Sequence, residues 1–249
     1  MADNGVGTAR PSTLLLALEA RGLVTPALLL AAAPFLMSAP RGAPQPVIVL
    51  PGLGATDRST AALRFYLKSL GYEAHGWSRG RNVRPAGADL PAVAAQIGAL
   101  RAMTGTPVTL VGWSRGGLIA REAARIVPDA VRMVVTLGSP FADPTATNVF
   151  GAAARRLIGE LERWKGLAAP MPVPSTSVYS RADGVAAWAA CIQSEGPESE
   201  NIEVRGSHLG LGFNAAALWV IADRLAQPLG SWTPFRPVGR AFRLFPGAI

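Results

Sequence analysis

Pro107-Val108-Thr109-Leu110-Val111-Gly112-Trp113-Ser114-Arg115-Gly116-Gly117 is the stretch that decides the fold. A short apolar run rich in β-branched residues ends in Gly-x-Ser-x-Gly, and a helical pattern follows over 115–126 until Pro128. A serine between a buried strand and a helix sits on a sharp turn with its hydroxyl exposed. The residues two before and two after it must be small, because strand and helix pass close together there. Gly112 and Gly116 meet that demand, and Gly117 adds room. The pattern implies a nucleophilic Ser114.

The same rhythm extends outward. Pro46–Leu50 reads as a buried strand ending in Pro51-Gly52, and 59–70 as a helix with Ser59 as its N-cap and Gly71 as its stop. Tyr72–Trp77 is a weaker strand, and 89–104 a helix with Leu90, Val93, Ile97 and Leu100 on one face. Val131–Leu137, Ser175–Ser180 and Asn201–Val204 read as further strands, and 214–226 as a last helix. Strands alternating with helices imply right-handed crossovers and a mostly parallel sheet of about six strands with helices on both faces. Ligands in such sheets bind at the carboxyl ends of the strands. The stretch 140–174 is too long for an ordinary connection, and its helical segment near 148–165 predicts a lid or cap over the site, spanning about 141–173.

A serine hydroxyl needs a base, and the chain holds two histidines. His208 follows the last strand and is the expected base; His75, in or just after the second strand, is its rival. Asp183 follows the fifth predicted strand and is the expected acid, with Asp143 as runner-up. The order Ser…Asp…His is the one this topology uses. Donors for an oxyanion are expected from the N–H of Arg115 and from the Pro51–Ala55 loop, where Leu53 is preferred and Gly54 comes second.

Composition sets the outer bounds. The 249 residues are 49% apolar and 16% charged, which fits one sizeable core over 45–230, preceded by a helical segment over 1–44 and followed by a tail over 231–249. The net charge is +8, but the cations are nearly all arginines scattered along the chain. They read as a solvated surface, with no nucleic acid as partner. One cysteine, Cys191, excludes an intramolecular disulfide, and one Cys with two His argues against a metal site. Residues 22–39 are apolar but short and broken by Pro26 and Pro34. Glu19 and a helical pattern precede them. A helical segment on the domain or on a lipid interface is expected rather than a targeting signal, and a cytoplasmic location rather than an exported one.

Leu50-Pro51-Gly52-Leu53-Gly54, Gly112–Gly117, Thr136–Pro140, Ser180–Val185 and Gly206-Ser207-His208 together resemble bacterial α/β-hydrolases close to true lipases and to the domain of GPI inositol-deacylases, over roughly 45–228. The resemblance implies the α/β-hydrolase fold, a triad of Ser114, Asp183 and His208, and an oxyanion hole of Leu53 and Arg115. It also implies cleavage of small-molecule or lipid esters without a cofactor. Two positions depart from it. Pro51-Gly52 stands where many lipases have His-Gly, and Arg115 stands where Met, Leu or Gln is more usual, so its side chain is expected to shape the acyl pocket or pair with an acid. Trp113 and Trp188 are candidates for lining the site. The same triad serves acyl transfer and thioester or amide cleavage, and a catalytically silent fold used for binding at a membrane is the reading from another class.

Overall fold

The computed structural model describes residues 9–148, 156 and 166–246. Six strands form one all-parallel sheet in the order β2-β1-β3-β4-β5-β6. They are β1 Pro46–Leu50, β2 Glu73–Gly76, β3 Val108–Trp113, β4 Val131–Leu137, β5 Ser175–Tyr179 and β6 Ser199–Glu203. β1, β3 and β5 are buried along their whole length, while β2 and β6 at the edges are partly open. Helices cover both faces, so β1 reads as an unbroken apolar run, whereas β5 buries Ser175, Thr176 and Ser177 by donating their hydroxyls to Gln193, Glu200 and the Cys191 carbonyl.

Alternate side chains serve the two layers. Ile48, Leu50, Leu110 and Val134 pack with Val93 and Ile97 of α4 (Ala86–Thr104) and with Leu118 and Ile119 of α5 (Arg115–Ile126). Val47, Val49, Val111 and Val135 pack on the other face, with Leu63 and Leu67 of α3 (Ala61–Ser69) and Leu218 and Ile221 of the last helix, Ala215–Ala226. The Asn214 side chain caps that helix by accepting from the N–H groups of Ala216 and Ala217.

Topology places the functional crevice. From β1 the chain moves outward to the edge strand β2, then returns past β1 to β3 and continues the other way. Connections diverge between β1 and β3, which opens a crevice at their carboxyl ends. The pairing of Leu50 with Gly112 sets the Pro51–Ala55 loop beside Ser114.

Several boundaries differ from expectation. The helix expected from 89 begins at Ala86, with Asp89 buried in its first turn and paired to Arg84 at 2.5 Å. The last strand begins at Ser199, because an edge strand is set by backbone pairing to β5 and not by apolar residues. Thr56, not Ser59, supplies the capping oxygen ahead of α3, through a 3-10 turn at Asp57–Thr60. Part of the arginine excess is internal, not surface: Arg115, Arg121 and Arg224 are fully buried. The helical segment expected near 148–165 falls, apart from residues 148 and 156, outside the described residues. Its flanks are packed: Phe141 lies under the Arg121 guanidinium at 4.0 Å, and Leu167 and Ala169 offer carbonyls to the same side chain.

The N-terminal segment forms α1 (Thr13–Ala17), a 3-10 turn (Leu18–Val24) and α2 (Thr25–Leu36). The stretch Thr13–Leu36 is long and apolar enough to cross a membrane by length and composition, a property shared by signal sequences and buried helices. Phe35 stacks on Trp219 at 4.5 Å, while Leu14, Leu23 and Leu30 point outward, 68%, 80% and 76% exposed. Beyond Gly230 the chain returns to the core, burying Ala241 and Phe245.

Candidate active site

Ser114 is the single residue between β3 and α5. Its backbone lies at φ 54°, ψ −124°, a conformation that costs a non-glycine residue about 1–3 kcal/mol. The surroundings hold it there. Its N–H donates to the Leu137 carbonyl at 2.8 Å, and its carbonyl accepts from Gly117 N–H at 2.9 Å. A Cβ on Gly112 would lie 2.3 Å from Gly117 Cα, and one on Gly116 would lie 2.4 Å from the Leu50 carbonyl oxygen. The small residues flanking the serine are thus demanded by backbone-to-backbone approach on both sides.

His208 opens a 3-10 turn, His208–Phe213, capped by Ser207, whose Oγ accepts from Gly210 N–H. Its Nδ1 stands 2.6 Å from Asp183 Oδ2, and both side chains are almost wholly buried. The other Asp183 oxygen accepts from the N–H groups of Val185 (2.8 Å) and Ala186 (2.7 Å), which aims the carboxylate at the imidazole. Ser180 knits the two loops: its Oγ donates to the Gly206 carbonyl at 2.6 Å and accepts from the N–H groups of Ala182 and Gly206. Trp113 Nε1 donates to the His208 carbonyl at 3.1 Å, tying the base loop to the end of β3.

Burial alone pulls the His208 pKa down. The charge and hydrogen bond of Asp183, with the charge of Glu19, outweigh it, and the net shift is upward. Burial, reinforced by the Asp183 charge, pushes the Cys191 thiol well up, so the one cysteine stays neutral beside the acid loop.

Both loops expected to supply oxyanion donors border the same space. The Pro51–Ala55 loop turns at Gly52–Ala55, with Ala55 N–H donating to the Gly52 carbonyl. Gly54 N–H is committed to the Asn82 carbonyl at 2.9 Å, which removes the second candidate and leaves Leu53. Arg115 opens α5, at the positive end of the helix dipole. Its side chain does something the sequence did not foretell. Buried, it donates to Asn82 Oδ1 and to the Arg84 carbonyl, and Asn82 Nδ2 donates in turn to the Pro51 carbonyl at 2.7 Å. One asparagine therefore links the nucleophile turn to the opposite loop.

Ser114, His208, Leu53 and Arg115 line one cavity of about 340 Å³, walled by Trp113, Leu118, Val185 and Leu209 among others. The rivals lie elsewhere. His75 sits within β2 and does not line this cavity. Asp143 accepts from the N–H and hydroxyl of Thr145, as a turn-former does. Trp188 stacks on Tyr179 and under Arg181 away from the cavity, whereas Trp113 lines it. Asn82 and Glu19 went unnoticed in the sequence as site residues. An asparagine in a polar loop carries no signal, and a lone carboxylate before an apolar stretch carries only a weak one.

The fold is that of the α/β hydrolases. A family model described as alpha/beta hydrolase fold matches residues 46–164. Lipases stand among its solved neighbours. Aspergillus fumigatus lipase B aligns with a TM-score of 0.60 at 19% identity over 74% of this chain and 53% of that one, so the chain spans about half that protein's length. Bacillus licheniformis lipase BlEst2 aligns at 0.57 and 17% identity over 76% and 95% of the two chains, and a Paleococcus ferrophilus monoacylglycerol lipase at 0.54 and 16% over 74% and 97%. Comparison with curated proteins gives no match. At these identities the likeness speaks to fold, and with the family model it supports a hydrolase.

Proposed function

We propose that this chain is a serine hydrolase that cleaves carboxylic esters through Ser114, His208 and Asp183. One observation carries the reading: a serine in a strained elbow shares a cavity with a buried imidazole whose Nδ1 is 2.6 Å from a buried carboxylate. His208 takes the Ser114 proton as the hydroxyl attacks the ester carbonyl, and Asp183 holds the imidazole with Nε2 unprotonated and stabilises the imidazolium. The N–H groups of Leu53 and Arg115 receive the oxyanion. His208 returns the proton to the leaving alcohol, and a water activated by the same imidazole releases the acid.

The apolar cavity wall favours an acyl chain over a charged substrate. The outward leucines of the N-terminal segment support contact with a lipid interface, and Leu209, 49% exposed, joins the cavity wall to the outside. The test is hydrolysis of p-nitrophenyl esters of increasing chain length by wild type and Ser114→Ala, with fluorophosphonate labelling alongside. Turnover and labelling that both vanish in the variant support the reading. Activity that survives in the variant overturns the role of Ser114.

A further inference from the structure

Glu19 lies in the 3-10 turn Leu18–Val24 and is 4% exposed. Its carboxylate is filled by three backbone donors from two distant loops. Oε1 accepts from Gly184 N–H and His208 N–H, each at 2.8 Å, and Oε2 accepts from Leu209 N–H at 2.9 Å. Gly184 follows the acid Asp183, and His208 is the base itself. One buried carboxylate, 165 and 189 residues away in sequence, therefore bridges the backbones of both loops.

The surrounding contacts show that the bridge is built to fit. Arg21 donates to the Ala182 carbonyl at 2.5 Å, on the other side of Asp183. Asn148 donates to the carbonyls of Pro11 (2.9 Å) and Gly184 (3.0 Å). A Cβ on Gly184 would fall 2.3 Å from the Leu15 carbonyl oxygen, and one on Gly22 would fall 2.9 Å from Leu209 Cβ. At these points the N-terminal segment and the two loops approach too closely for a side chain to fit between them.

We propose that Glu19 is a positioning residue for the triad: from the N-terminal segment it clamps the acid loop to the base loop and adds a second fixed negative charge beside the imidazole. The inference rests on the hydrolase reading above. A carboxylate that accepts three N–H bonds in a buried site is fixed in place, and its field there is weakly screened. The acidic groups acting on the imidazole are then Asp183 and Glu19, while burial keeps the Cys191 thiol neutral. Each favours the imidazolium that forms when the serine gives up its proton. The N-terminal segment becomes part of the catalytic apparatus, not an appendage to it.

Glu19→Gln removes the charge and turns an amide N–H toward one of the three donors; Glu19→Asp keeps the charge but draws it back by one methylene. For Glu19→Gln, kcat on a p-nitrophenyl ester is expected to fall roughly tenfold to a hundredfold with KM nearly unchanged, as for a small misplacement of reacting groups. The acidic limb of the kcat/KM profile should move to lower pH. His208 titration, followed by imidazole NMR in a chain with only two histidines, should move down with it. That readout needs no turnover, so it separates failure of this inference from failure of the hydrolase reading. Glu19→Asp should lose kcat while His208 titrates near its wild-type position, and it carries the test if Glu19→Gln does not fold. Unchanged kcat and unchanged His208 titration in the folded variant would overturn the proposal, as would a loss of kcat that merely tracks the melting temperature.

Discussion

Replacing Asp183 by asparagine isolates the acid from the geometry. The side chain keeps its shape, and its oxygen can still accept from Val185 and Ala186 N–H. The amide nitrogen then faces His208 Nδ1, where the carboxylate stood at 2.6 Å. An N–H pointed at Nδ1 makes that nitrogen an acceptor and moves the ring proton to Nε2, the atom that must receive the serine proton. The lost charge can be sized separately. Two unit charges with centres about 4 Å apart, at an effective dielectric of about 20, interact by ~4 kcal/mol. At about 1.4 kcal/mol per decade, that is close to a thousandfold in the rate of a step that creates the imidazolium. The tautomer change carries the total toward about 10⁴ in kcat. The assay is steady-state hydrolysis of a short p-nitrophenyl ester, with thermal melting to confirm the fold and Asp143→Asn as the comparison. A folded Asp183→Asn enzyme that loses less than about tenfold in kcat would refute the reasoning. A large loss in Asp143→Asn instead would move the acid to the loop after β4.

Two further outcomes follow from the same geometry. The His208 pKa is raised, and only the neutral imidazole can act as base, so kcat/KM should climb with pH along a limb centred above the ordinary histidine value of 6.5. The sign for stability is opposite: a raised folded-state pKa stabilises below the unfolded value and that contribution is lost as pH rises through the folded one, so melting temperature and activity should diverge across this window. Asn82→Ala strips a buried partner from the Pro51 carbonyl and from Arg115, which should cost about 1–3 kcal/mol of stability in denaturant melts. It should also slow acylation of Ser114 by a fluorophosphonate roughly tenfold by loosening the Leu53 loop; an unchanged labelling rate would separate Asn82 from the oxyanion site.

The strand-and-helix rhythm and the nucleophile turn were legible because they are local. Val108–Trp113 is apolar on both faces, and Gly112 and Gly116 flank Ser114 at a spacing set by one turn of backbone. Chain order placed Asp183 and His208 each after a strand, at the edge where loops converge. Choices that depend on which side chain meets which were not legible. Leu53 was preferred to its neighbour Gly54 from the sequence, but only the packed chain shows the Asn82 carbonyl claiming the Gly54 N–H. Arg115 was expected to shape the acyl pocket or pair with an acid, and only the packed chain sends its guanidinium to Asn82 and the Arg84 carbonyl.

The N-terminal segment shows the division most clearly. Its helical character and apolar face follow from residue periodicity alone, a property of neighbours three and four apart. That Glu19 closes on Gly184, His208 and Leu209 depends on three backbone N–H groups brought together only when β5, β6 and the loops beyond them are in place. The layered parallel sheet and the strained Ser114 turn at the end of β3 could be read from the residues alone, because periodicity and backbone sterics act over a few residues. Packing was needed to show that the Asn82 carbonyl takes the Gly54 N–H, which arginines are internal and which loops the Glu19 carboxylate bridges, because a buried polar atom must take whatever partner the folded chain puts within reach.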